Sequence, residues 1–230
     1  MALRQKLSIV ISVYQSYEIV RRQLLHFAKI DLPFELIIVD DGSVPAIPGA
    51  KYFTNSTLAW TQGLGRNLGA HHAQGEYLLM TDIDHIISRE AIQDALDFTG
   101  NKMIFRRQIA ILDEQGEIRQ DKDTLCDWGF SREKLDASVH GNTFVMKKSI
   151  FDGLGGYDEA TCMRGYHPIS KQGDDCYFNT KWNRRYTKDD LAVGRDIYMF
   201  PIGRFRDDGD LNPKGLFHNL SQLKQESFTK

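Results

Sequence analysis

The sequence predicts an α/β fold with a mostly parallel central sheet flanked by helices, and three apolar runs carry that prediction. Residues 7–14 (LSIVISVY) and 34–39 (FELIIV) are short, β-branched and apolar, while residues 16–29 between them repeat their apolar positions at helical spacing. Strand, helix, strand at this spacing is a βαβ unit, whose crossover sets the two strands parallel. The third run, residues 77–80, lies inside GEYLLMTDIDHII (75–87) and is bounded by Gly75 and a polar end, as in a strand covered on both faces. The second and third runs empty into aspartates. That carboxyl edge is where open α/β sheets place their ligands.

At 230 residues, with 41% hydrophobic and 26% charged residues, the chain has the material for one substantial core and a single domain, residues 1–230. A net charge of -2 leaves no basic footprint for nucleic acid. No apolar run approaches 18 residues, and residues 7–14 are too short for a leader and already read as a strand. The expectation is a cytoplasmic protein with no transmembrane segment. Cys126, Cys162 and Cys176 are odd in number and widely spaced, which fits neither a disulfide framework nor a zinc knuckle. They are expected to be reduced and structural.

Along the chain, Ser16 is available as the N-cap of the first helix, which Asp31 and Pro33 end. Asp40-Asp41-Gly42-Ser43 follows the second strand. A carboxylate there can accept from a nucleobase N–H or a ribose hydroxyl, with Gly42 turning the chain away from the ligand; the alternative is a turn whose Asp and Ser bond their own backbone. Residues 51–54 form a third short strand. Gly63-Leu64-Gly65-Arg66-Asn67-Leu68-Gly69-Ala70 then opens a helix running to about Gln74. It misses both the dinucleotide fingerprint and the P-loop, yet a glycine-permitted approach, a helix start and a guanidinium together suit a diphosphate. His71 and His72 on this helix read as surface or packing residues.

Asp82 and Asp84 fall at or just beyond the carboxyl end of the third run. In extended chain their one-residue spacing sends them to opposite sides, whereas a turn brings both to one cation. Hard oxygen ligands suit Mg²⁺ or Mn²⁺. His85 either adds a nitrogen ligand or faces solvent, and the bland alternative for the whole group is a solvated strand end.

Taken in order, VDDGS after a strand and then GLGRNLGAHHAQGEYLLMTDID resemble the family 2 glycosyltransferases of the GT-A fold, over residues 8–182. Ser12 and Gln15 depart from the Pro and Asn that the family often carries in its first strand. The resemblance implies a Rossmann-like nucleotide-sugar-binding half (about 1–100), an acceptor and catalytic half (about 101–203) and a mobile C-terminal segment (about 204–230). By the same resemblance Asp41 or Asp40 meets uracil or ribose, Arg66 the phosphate side, and Asp82 and Asp84 the ribose and metal. Val13, Tyr14, Gly63, Asn67 and Ile83 complete the donor set, with Gly141 and Asn142 on a strand, residues 140–146, beside the donor sugar.

In the second half, residues 102–112 read as a strand that turns through Asp113-Glu114-Gln115-Gly116 into residues 117–119 as a hairpin. Residues 122–137, with Trp128 and Phe130, read as a loop over the cleft or one pinned to the core. A short helix is expected at residues 149–153, and Gly155-Gly156-Tyr157-Asp158-Glu159 matches the family's G-G-[FY]-D-E turn. Gly173-Asp174-Asp175 then precedes a helix at residues 176–182. The family's Glu-Asp carries over to make Asp175 the base and Asp174 its support. Two adjacent carboxylates raise one pKa and a helix N-terminus lowers it, so the net direction stays open. No Gln-x-x-Arg-Trp follows, which implies a single-addition enzyme. Residues 197–202 form a last strand. Residues 208–212 lack the glutamate of a calcium loop. His218 is the chosen third metal ligand, with His140 and His167 as rivals. The implied function is inverting, metal-assisted transfer from a UDP-sugar to a glycan, lipid-linked glycan or protein, with peripheral membrane contact an option. A nucleotidyltransferase and a non-catalytic nucleotide or glycan-binding module are the alternatives.

Overall fold

The computed structural model describes residues 6–54, 61–121, 123, 125, 138–162 and 173–200. The expected loop aromatics Trp128 and Phe130, and with them Cys126, His167, His218 and the segment 201–230, lie outside these residues. The elements in order are β1 (Leu7–Val13), α1 (Tyr17–Ala28), β2 (Glu35–Asp40), β3 (Tyr52–Phe53), α2 (Gln62–His72), β4 (Tyr77–Thr81), β5 (His85–Ile86), α3 (Arg89–Asp97), β6 (Lys102–Ile109), β7 (Ile111–Leu112) and β8 (Ile118–Arg119). They continue with β9 (Ser138–Lys147), α4 (Lys148–Gly153), α5 (Glu159–Cys162), α6 (Asp174–Asn183), β10 (Leu191–Val193) and β11 (Ile197–Met199).

The main sheet runs β3-β2-β1-β4-β9-β6-β11-β5, with β10 also on β6. β1 pairs parallel with both β2 and β4, as the βαβ pattern requires. β9 enters antiparallel between β4 and β6, so strands from both expected halves share one sheet. Of two short strands that the sequence did not separate from their surroundings, β5 ends the main sheet and β7 pairs with β8 in a separate two-stranded sheet. The hairpin appears as β7 and β8, and the Asp113 carboxylate accepts the N–H groups of Gln115 and Glu117 at its turn.

Every residue of β1 and β4 is buried because each face of the sheet carries its own core. Leu7, Ile9 and Ile11 pack with Val20, Phe27 and the α3 residues Ala91, Ile92 and Ala95 on one side. Val10, Leu78 and Met80 pack with Ala70, Phe144, Phe178 and Trp182 on the other. Period-two alternation along a strand divides these residues between the two layers. Ser16 occupies the N-cap position of α1 but does not cap it, since its hydroxyl donates instead to the Tyr14 carbonyl at 2.8 Å. The buried face of α1 is half polar: Arg22, Gln23 and His26 lie on it beside Ile19 and Phe27. Among the described residues no helix is long and apolar enough to cross a membrane.

Candidate active site

β4 ends at Thr81, and the backbone turns at once, with the His85 N–H donating to the Asp82 carbonyl at 3.1 Å. That turn does what an extended chain could not: it gathers an oxygen of Asp82, an oxygen of Asp84 and a ring nitrogen of His85 within 4.8 Å of one another, all three residues buried. His85 therefore does not face solvent. Its Nδ1 lies 2.5 Å from Thr143 Oγ1 and 4.0 Å from Asp82 Oδ2. Thr143 reaches it because the β6–β9 register jumps between Ile104 and Phe105, from partner Phe144 to partner His140. A bulge of this kind re-aims side chains beside a site. The two carboxylates offer hard oxygen donors that suit Mn²⁺ or Mg²⁺, and the imidazole offers one nitrogen beside them.

Arg66 joins this turn to the second half of the chain. Its guanidinium is fully buried and donates to Asp82 Oδ1 at 2.5 Å, Asp175 Oδ1 at 2.7 Å and the Tyr157 hydroxyl at 2.6 Å. Gln62 Nε2 adds a further donor to Asp82 Oδ1 at 2.5 Å. The glycine-rich segment does open a helix, and its glycines also serve packing. α2 starts at Gln62, so Gly63 lies in its first turn, while Arg66 stands one turn further in and turns its guanidinium to carboxylates. The glycines are contact points. A Cβ on Gly63 would meet Cys162, on Gly65 it would meet Ser12, and on Gly69 Val10 and Val39. Asn67 exchanges hydrogen bonds with Tyr157, its Nδ2 donating to the Tyr157 carbonyl at 2.9 Å and its Oδ1 accepting the Tyr157 N–H at 2.8 Å. Gly155 and Gly156, at φ +72° and +58°, supply the left-handed turn that brings Tyr157 there.

Asp174 and Asp175 open α6, and Asp174 Oδ1 accepts the Asp175 N–H at 2.9 Å. The direction left open by the sequence is upward. Burial first, then Asp82 and Asp174, push the Asp175 carboxyl up to about 6 against the pull of Arg66.

The expected base-binding aspartates are turned onto the protein itself. Asp40 accepts from the Ser43 N–H at 2.8 Å and the Ile47 N–H at 2.7 Å, so the self-bonded turn is the arrangement found. Asp41 accepts from Thr54 Oγ1 at 2.7 Å, Thr61 Oγ1 at 2.5 Å and the Thr61 N–H, and burial raises its pKa. Val13 is buried, and its carbonyl accepts the Asp41 N–H at 2.7 Å. Tyr14, Ile83, Gly141 and Asn142 are half-buried around the same edge of the sheet. His140 lies in β9.

Sequence reasoning missed Gln62, Thr143, Gln23 and Lys102. Lys102 is the clearest case, a charged residue opening a strand and read only as its first residue. Its Nζ sits 4.8 Å from the Phe144 ring, 5.1 Å from Trp182 and 5.9 Å from Phe178, hydrogen-bonded to Asn179 at 3.0 Å. Burial lowers it to about 8, opposed by the charge of Asp175.

Comparison with known proteins fits this geometry. Poly(ribitol-phosphate) beta-N-acetylglucosaminyltransferase TarS of Staphylococcus aureus, from strains Mu50 and MW2, is 31% identical over 106 residues, covering 40% of this chain and 18% of the relative. The crystal structure of S. aureus TarS 1-349 superposes with a TM-score of 0.55 at 17% identity, over 85% of this chain and 60% of that one. Glucosyl-3-phosphoglycerate synthase from Mycobacterium tuberculosis in complex with phosphoglyceric acid gives a TM-score of 0.48 at 14% identity, over 97% of this chain and 76% of that one. The chain thus spans less than two thirds of the length of TarS in either comparison. More than half of it, residues 8–152, matches the family described as Glycosyl transferase family 2. The protein belongs to that family, on a GT-A scaffold.

Proposed function

We propose that the protein is a cytoplasmic, inverting, single-addition glycosyltransferase that moves a sugar from a UDP donor to an acceptor hydroxyl on a glycan, lipid-linked glycan or protein. The observation that supports this most is the meeting, through the buried Arg66 guanidinium, of Asp82 at the end of β4 with Asp175 at the start of α6. Inversion needs the acceptor oxygen to attack the anomeric carbon opposite the leaving diphosphate, through a transition state of oxocarbenium character. In this reading the Asp175 carboxylate takes the acceptor's proton, and a carboxyl held near 6 is ionised at neutral pH yet more basic than an ordinary aspartate. Arg66 fixes Asp175 Oδ1, leaving Oδ2 to face the acceptor, and Asp174 holds the first turn of α6 through the Asp175 N–H. Asp82, Asp84 and His85 would hold a Mn²⁺ or Mg²⁺ ion, which would supply positive charge to the leaving phosphate. The name of the S. aureus relative, an N-acetylglucosaminyltransferase, supports a sugar donor.

The test is product analysis with a panel of labelled nucleotide sugars, with and without Mn²⁺, on wild type, Asp84→Ala and Asp175→Asn. Each substitution is expected to lower turnover by about two orders of magnitude or more, with the native near-ultraviolet circular dichroism kept, because both residues lie at element ends. Near-normal transfer by Asp175→Asn would overturn the base assignment, and release of pyrophosphate in place of UDP would overturn the reaction class.

A further inference from the structure

The turn that carries Asp84 is held from outside by a residue distant in sequence. Gln23 is fully buried on α1, and its Nε2 donates to the Ile83 carbonyl at 3.1 Å and the His85 carbonyl at 3.0 Å. These are the carbonyls on either side of Asp84. Asp84's own carbonyl accepts the Phe200 N–H at 2.8 Å, so three successive peptide groups are tied to α1 and the end of β11. An amide NH₂ carries two hydrogens, and Gln23 uses both here. Its Oε1 is buried with no hydrogen-bond partner among the described residues. An apolar side chain of the same volume would avoid leaving that oxygen unsatisfied, so what the position gains is the pair of donors.

We propose that Gln23 is a positioning residue for Asp84: by fixing the peptide groups on both sides it sets the direction of the Asp84 carboxylate toward the divalent ion. The proposal rests on the metal reading given above. It differs from a general stabilising role because its neighbours on α1 make the same kind of contact elsewhere. Arg22 donates to the Leu112 carbonyl at 2.7 Å, and His26 Nε2 lies 2.9 Å from the Ile87 carbonyl, beyond the turn. Arg22 therefore serves as the control.

Mn²⁺ uptake is read from the electron paramagnetic resonance signal of the free ion for wild type, Gln23→Met, Gln23→Leu and Arg22→Met, each checked by near-ultraviolet circular dichroism. Removing an outer partner of a metal ligand weakens metal affinity by roughly 10- to 100-fold. Gln23→Met and Gln23→Leu are expected to raise the Mn²⁺ dissociation constant about 10-fold, while Arg22→Met lowers the melting temperature and leaves the constant unchanged. Gln23→Met keeps the test open if the branched leucine does not fold. Wild-type affinity in both Gln23 variants, or an equal loss in Arg22→Met, overturns the proposal alone. Absence of Mn²⁺ uptake by wild type overturns the metal reading and the proposal with it.

Discussion

Asp175 is held at about 6 chiefly because burial disfavours its charge, with Asp82 and Asp174 acting in the same sense and Arg66 in the opposite one. If it is the base, kcat/KM rises through about pH 6 to a plateau, and Asp175→Asn loses both the activity and that limb of the profile. Stability carries the same group with a definite sign. The native carboxyl keeps its proton between about 4 and about 6 while the unfolded one has lost it. Its favourable contribution is therefore full below about 4 and is lost as pH rises through about 6. The stability difference, wild type minus Asp175→Asn, should fall across that window in urea titrations at several pH values; a difference that rose with pH would show Arg66 prevailing over burial. The positions of Asp82, Asp84 and Asp175 were legible because each follows or opens an element. The aim of Arg66 was not, since a guanidinium near a helix start suits a phosphate and a carboxylate equally, and only the assembled fold chooses.

At the scale of elements, α2 shows how one residue type answers two demands. Glycine lets a backbone approach a ligand, and equally lets a helix approach a sheet. Gly65 and Gly69 lie one turn apart, the first over Ser12 of β1 and the second over Val10 of β1 and Val39 of β2. Gly69→Ala places a methyl 3.2 Å from Val39 Cγ2 and closer still to Val10. Overpacking of this kind costs about 1–3 kcal/mol, against a helix-propensity gain of about 1 kcal/mol. The net expectation is a loss of up to about 2 kcal/mol in chemical denaturation; a stabilised variant would show that α2 has room to shift. α1 taught the complementary lesson. Its helical periodicity was readable, but Arg22, Gln23 and His26 on its buried face reach carbonyls far along the chain, which no local pattern encodes.

For the molecule as a whole, the βαβ spacing made β1, β2 and β4 legible, while the insertion of β9 between β4 and β6 depended on pairings between distant segments. Arg66 ties the same distant segments at the edge of that sheet. It leaves α2 to meet Asp82 from β4 and, from far along the chain, Tyr157 and Asp175. Arg66→Met leaves two largely buried carboxylates facing one another without their cation, and breaking a buried pair this way costs about 3–5 kcal/mol. Arg66→Lys is expected to recover only part, because an ammonium cannot reproduce a fork that serves three acceptors. Two features separate this from ordinary loss of packing. The deficit of Arg66→Met should shrink as pH falls toward about 6 and level off below it, because without the guanidinium Asp175 takes up its proton at higher pH than in wild type and the repulsion with Asp82 is relieved. Adding Asp175→Asn to Arg66→Met should then cost less than Asp175→Asn alone, a coupling read from a double-mutant cycle in urea at neutral pH. Additive losses, unchanged by pH, would mean that Arg66 fills space between the two segments and does not hold their charges together.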